Sequence, residues 1–93
     1  MAFCYILRCA DGSYYVGSTL DLPARLAKHL DGSASRYTAA RRPVALVFSE
    51  LLDSIDLARA QEQQIKGWTR ARKEALIGAD RARLKALSRA SRR

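Results

Sequence analysis

The 93-residue chain is long enough for one compact domain with a single core, and its 48% hydrophobic and 28% charged content excludes a disordered polyelectrolyte. No run approaches the roughly 20 apolar residues of a membrane span, and Met1-Ala2-Phe3 carries no basic leader, so a cytoplasmic protein without membrane contact is expected. The net charge of +8 is uneven: residues 1–69 hold eight Lys and Arg against seven Asp and Glu, whereas residues 70–93 hold nine against two. That basic last quarter is the footprint of a nucleic-acid or other polyanion binder, and seven of its nine cations are arginines, whose fixed fork of donors suits phosphate.

In chain order, Phe3 to Arg8 and Ser13 to Gly17 are rich in β-branched and aromatic residues, and Ala10-Asp11-Gly12 between them is a turn signal. They predict a β-hairpin in one of two registers. A two-residue Asp11-Gly12 turn pairs Tyr5 with Ser18 and sends Tyr5 and Tyr15 to opposite faces. A three-residue loop with Gly12 left-handed pairs Tyr5 with Gly17 and puts both rings on one face. Cys4 and Cys9 lie five apart on this strand and point to opposite faces, so they read as small apolar residues rather than as a disulfide or metal pair.

Asp21 is a good N-cap, Pro23 fits a first turn, and Leu22, Leu26 and Leu30 recur at spacing four before Asp31-Gly32. This predicts a short amphipathic helix with Arg25 and His29 on one flank, able to act on the same point. Residues 32–43 turn polar and small and predict a long loop, in which Arg36, Tyr37, Arg41 and Arg42 are candidate phosphate contacts. Val44 to Leu52 is a nearly continuous apolar run and predicts a well-buried third strand.

Ser54 can cap a helix carrying Leu57, Ala58, Gln61, Ile65 and Trp68 on one face, with Glu62 on the rim of that face. A carboxylate so placed is either half-solvated or recruited by a cation, since burial without a partner costs several kcal/mol. Gly67 to Thr69 ends this helix, Ala71 to Ile77 adds a turn or two, and Asp80 caps a last Ala- and Arg-rich helix. Residues 1–78 thus form one domain and 79–93 a basic helix or tail continuous with it. The fold class is α/β of the α+β type, in the order β-β-α-β-α-α.

The ordered set of Phe3-Cys4-Tyr5, Tyr15-Val16-Gly17, Arg25, His29 and Glu62 supplies what phosphodiester hydrolysis with one metal ion requires: a tyrosine pair, a permanent cation and a lone carboxylate. It resembles the GIY-YIG nuclease superfamily, in particular its small single-domain bacterial members, over about residues 3–78. The first triplet stands where that family has Gly-Ile-Tyr and the second where it has Tyr-Ile-Gly. Glu62 matches the family's metal-binding glutamate, and His29 a histidine found one helical turn after the arginine in several relatives. The first triplet lacks the glycine and isoleucine, and no asparagine follows Glu62.

The resemblance implies a small three-stranded antiparallel sheet flanked by helices, with the tyrosines, arginine and glutamate gathered on one sheet face, and so favours the three-residue hairpin loop. It implies a metal-dependent DNA endonuclease acting in repair or recombination. Glu62 would hold Mg²⁺ or Mn²⁺, Arg25 would offset charge at the scissile phosphate, and Tyr5 would activate water. Tyr15 and His29 would share the proton transfers. Lys66, Arg70, Arg72 and Lys73 join the loop residues as nucleic-acid contacts, RNA remaining a possible partner beside DNA. The other reading is a binding module of the same fold with little or no turnover.

Overall fold

The computed structural model describes residues 1–79 of the chain. Its elements are β1 (Ala2–Arg8), β2 (Tyr14–Thr19), α1 (Leu22–Asp31), α2 (Arg36–Ala39), β3 (Ala45–Leu52) and α3 (Ile55–Lys66), followed by helical residues 70–79. The three strands form one antiparallel sheet in the order β2-β1-β3. The expected basic segment from Asp80 onward lies outside the described residues.

The hairpin takes the three-residue loop. Cys9 N–H donates to Ser13 O at 2.8 Å and Gly12 N–H to Cys9 O at 2.9 Å, with Gly12 at φ 84°. That left-handed turn, which glycine adopts without strain, fixes the pairing of Tyr5 with Gly17 and of Leu7 with Tyr15. Tyr5, Leu7, Tyr15 and Gly17 therefore share one face, and Cys4, Ile6, Val16 and Ser18 the other.

Each face has its own core. Tyr5, Leu7, Cys9 and Val44 pack with Tyr15 and with Leu22 and Leu26 of α1. Cys4, Ile6, Val16 and Phe48 pack with Ile65 of α3, with Trp68 and with Ile77. The two cysteines are buried, free and in different clusters, as their spacing requires. Burial pushes the Cys4 thiol up to about 11, with Glu50 and Glu62 adding to the shift, so it is a packing residue and no nucleophile at neutral pH.

The helices begin and end at the residues whose chemistry favours it. Asp21 Oδ1 accepts from Ala24 N–H at 3.1 Å and Ser54 Oγ from Leu57 N–H at 3.2 Å, caps worth about 1 kcal/mol each. Gly32, at φ 88°, closes α1, and Gly67 caps α3.

Two expectations are corrected. The segment 32–43 is not all loop: Ser35 Oγ accepts from Thr38 N–H at 3.3 Å and starts the short helix α2. Nor is β3 well buried along its length, because it is an edge strand. A bulge opposite Ile6 and Leu7 turns both Val47 and Phe48 toward the α3 core. Leu46 and Leu51 are left exposed.

Candidate active site

Tyr5 lies on the central strand with its ring over the backbone of Gly17. A Cβ built on Gly17 would stand 2.5 Å from the Tyr5 hydroxyl oxygen and 2.6 Å from the carbon bearing it. Glycine is required here for space, since its φ is not in the left-handed region. Gly17→Ala is expected to force the ring aside and cost about 1–3 kcal/mol, the range of core overpacking. Urea denaturation measures this as a lower midpoint with an unchanged slope.

The Tyr5 hydroxyl is 2.8 Å from Nε2 of His29, which comes from the last turn of α1 and is 0% exposed. On the far side of the imidazole, Nδ1 lies 2.9 Å from Oγ1 of the buried Thr38 in α2. The Thr38 hydroxyl has the Ser35 carbonyl oxygen as its own acceptor at 3.4 Å. This polarity assigns the tautomer: Nδ1–H donates to Thr38, Nε2 is bare, and the Tyr5 O–H donates to it.

Burial, then the positive charge of Arg25, lowers the His29 pKa and keeps the ring neutral. Burial also raises the Tyr5 pKa, aided by Tyr15 and Glu62, while the Arg25 guanidinium opposes the rise. Tyr5 is therefore a protonated phenol whose hydrogen is already directed at a base.

Arg25 sits one helical turn before His29 and takes part in none of the ion pairs among the described residues. The Tyr15 ring is 6.4 Å from Tyr5 and 5.1 Å from His29, and it stacks on Tyr37 at 6.1 Å. Tyr37 is fixed by donating to Ser13 Oγ at 2.6 Å and by the Arg41 guanidinium 3.8 Å above its ring.

Glu62 reaches the site from the other layer. Its Oε1 accepts from Ser18 Oγ at 2.5 Å, and Ser18 alternates with Tyr15 and Gly17 along β2. Glu62 thus approaches at the β2 edge from the face opposite Tyr5 and Tyr15 rather than sharing their face as the resemblance implied, although its charge still acts on the Tyr5 hydroxyl. Oε2 of Glu62 pairs with Lys66 Nζ at 2.5 Å. Ser18 and Arg25 both line a cleft of about 320 Å³ between α1 and the start of α3, which joins the carboxylate side of the site to the guanidinium side.

Residues 1–75 match the family described as the GIY-YIG catalytic domain. The chain belongs to the GIY-YIG family. A UPF0213 protein of Bacillus pumilus is 47% identical over 73 residues, 78% of this chain and 74% of the relative. A UPF0213 protein of Staphylococcus aureus is 44% identical over 75 residues, 81% and 92% of the two chains. The solution structure of a UPF0213 protein from Bacillus halodurans is 38% identical, covers 85% of each chain and gives a TM-score of 0.56. Membership supports a nuclease-type function, and no described helix is long and apolar enough to cross a membrane.

Several cations that the sequence offers to nucleic acid are bonded within this GIY-YIG domain. Arg41 pairs with Asp11 at 3.1 Å, Arg42 donates to Ala39 O at 3.1 Å, and Arg70 donates to Gly12 O at 2.7 Å. Arg72 stacks on Trp68 at 4.2 Å, Lys66 holds Glu62, Arg36 is exposed and Lys73 half-buried.

The sequence did not single out Ser18 and Thr38, nor Lys28 and Arg59, which line the same cleft as Arg25. Arg59 precedes Glu62 by three residues, a helical spacing that could have flagged it. Ser18 follows from the register once that is known. Thr38 carries no local signal, because its role depends on where α2 docks.

Proposed function

We propose that the chain is a metal-dependent DNA endonuclease in which Tyr5 and His29 move the proton of the attacking water. The observation that carries this is the buried 2.8 Å hydrogen bond between the Tyr5 hydroxyl and His29 Nε2, the nitrogen assigned as acceptor because Nδ1 faces Thr38. With its pKa raised by burial, Tyr5 has negligible standing phenolate at neutral pH. A relay removes that obstacle: as water attacks phosphorus, its proton passes to the Tyr5 oxygen while the Tyr5 proton passes to His29, and the buried imidazole then returns its proton to Tyr5 as the phenol gives one to the leaving oxygen. Thr38 keeps the acceptor nitrogen turned to Tyr5. Arg25, a cation that does not deprotonate, faces the charge that builds on the phosphoryl oxygens. Tyr15 flanks both rings and binds the phosphate or relays to Tyr5.

Glu62 and the Ser18 hydroxyl offer hard oxygen donors, and no group of three or more metal-ligating side chains gathers among the described residues. That donor set fits a small hard cation of the Mg²⁺ or Mn²⁺ kind, which needs only one or two carboxylates and takes water and phosphate oxygens besides. Held by Glu62, such an ion supplies positive charge against the transition state. The cations around the cleft meet phosphates, which carry no base information, so cleavage is directed by DNA structure, as repair or recombination requires.

Two outcomes test this. In purified protein with Mg²⁺ or Mn²⁺, supercoiled, branched or single-stranded DNA is cleaved, and Arg25→Ala slows cleavage about 10²- to 10³-fold, the loss typical of one transition-state donor. Absence of cleavage on all three forms favours the binding module instead.

The pH profile is a second check. Catalysis needs neutral His29, whose folded pKa is lowered from 6.5, so the acid limb of cleavage falls below pH 6.5. The same shift makes His29 contribute stability that is full above its unfolded value and is lost as pH falls toward the folded one. Denaturation midpoints at several pH values follow it independently of activity.

A further inference from the structure

The cleft between α1 and α3 is more than a link between Arg25 and Ser18. Its rim carries Arg25 and Lys28 from α1 and Arg59 from α3, and none of the three is in an ion pair among the described residues. Arg41, Arg70 and Lys66 do have carboxylate partners; in the cleft three cations face one carboxylate, Asp21, which caps α1, and the balance is positive beside the site. The rest of its wall is mixed: Ser18, Thr19, Asp21 and Ala24 line it beside Ile55 and Leu20, and Leu20 is a large aliphatic side chain 65% exposed. A volume of about 320 Å³ stands at the small end of ligand cavities.

We propose that this cleft binds one unpaired nucleotide next to the scissile phosphate, with Lys28 and Arg59 on its phosphate and Leu20 and Ile55 against its base. The assignment rests on the nuclease reading above and gives it a substrate class: DNA in which a nucleotide has left the duplex at the cut. A paired nucleotide would lay its phosphate on the rim but could not bury a base between Leu20 and Ile55. The two aliphatic side chains therefore discriminate, and the cations supply affinity.

Fluorescence anisotropy of the full chain in EDTA tests this without cleavage, using a labelled short duplex with and without a single-nucleotide bulge over a range of salt. The bulged duplex is expected to bind roughly tenfold tighter, about what covering one aliphatic side chain yields. Leu20→Ser removes that preference while leaving the plain duplex unchanged. Lys28→Ala and Arg59→Ala each reduce the slope of log K against log salt by about 0.7–0.9, one phosphate contact each, and Arg8→Ala at the far end of β1 does not.

Equal binding of the two duplexes by the wild-type chain overturns the proposal. So do Lys28→Ala and Arg59→Ala behaving like Arg8→Ala. A chain that shows the bulge preference but cleaves nothing with metal sinks the nuclease reading and leaves the subsite standing, so the two failures are distinguishable.

Discussion

Replacing Tyr5 by Phe is expected to slow DNA cleavage about 10²- to 10⁴-fold, the range of a proton-transfer group, while the domain stays folded. The ring and its packing over Gly17 are retained, so the loss isolates the hydroxyl. What remains is a buried Nε2 without its donor, a deficit of about 1–3 kcal/mol that urea denaturation reads separately from rate. His29→Ala is expected to reach a similar rate. The double variant should be little slower than either single one, because two residues that move one proton in series act as a unit. Full additivity of the two losses would show instead that Tyr5 and His29 work apart.

Glu62→Gln is expected to lower metal-supported cleavage on the order of 10³-fold, since several kcal/mol of charge stabilisation leave with the cation. Stability should barely move. The amide oxygen of Gln can still accept from Ser18 Oγ, and the lost pairing with Lys66 is a half-exposed contact one helical turn long, worth about 0.3–0.5 kcal/mol. Titration calorimetry with Mn²⁺ checks the cause: the variant should show no specific uptake where the wild type does. Unchanged Mn²⁺ binding would place the ion elsewhere.

The parts of this architecture that depend on local chemistry were legible in the chain. Asp21 and Ser54 mark helix starts through side-chain oxygens, and Gly32 and Gly67 mark helix ends through their backbone N–H groups. Arg25 and His29 share a flank because they are one turn apart. Propensity alone slightly favours the two-residue turn for the hairpin, and the chain takes the three-residue loop instead. What tips it is the steric demand of Tyr5, which leaves no room for a side chain at position 17.

The rest depends on contacts between distant segments. Thr38 matters only because α2 docks under the imidazole. The exposure of β3 follows from its place at the sheet edge, which an apolar run does not reveal. Glu62 enters around β2 because Ser18, on the opposite face from Tyr15, holds it. Arg41, Arg42 and Arg70, which the sequence offers as phosphate contacts, also bond within the domain, to Asp11, Ala39 O and Gly12 O.

The central claim is that Tyr5, His29, Arg25 and Glu62 act on one phosphodiester although they come from two layers of the fold. A crystal structure of the Tyr5→Phe variant, grown with Mn²⁺ and a short bulged DNA, tests it most directly through the anomalous signal of the metal. A manganese peak is expected at the Glu62 carboxylate, with a backbone phosphate between it and the Arg25 guanidinium and position 5 facing that phosphate. A metal bound away from Glu62, or a phosphate on Arg25 that Glu62 and position 5 do not approach, would contradict it.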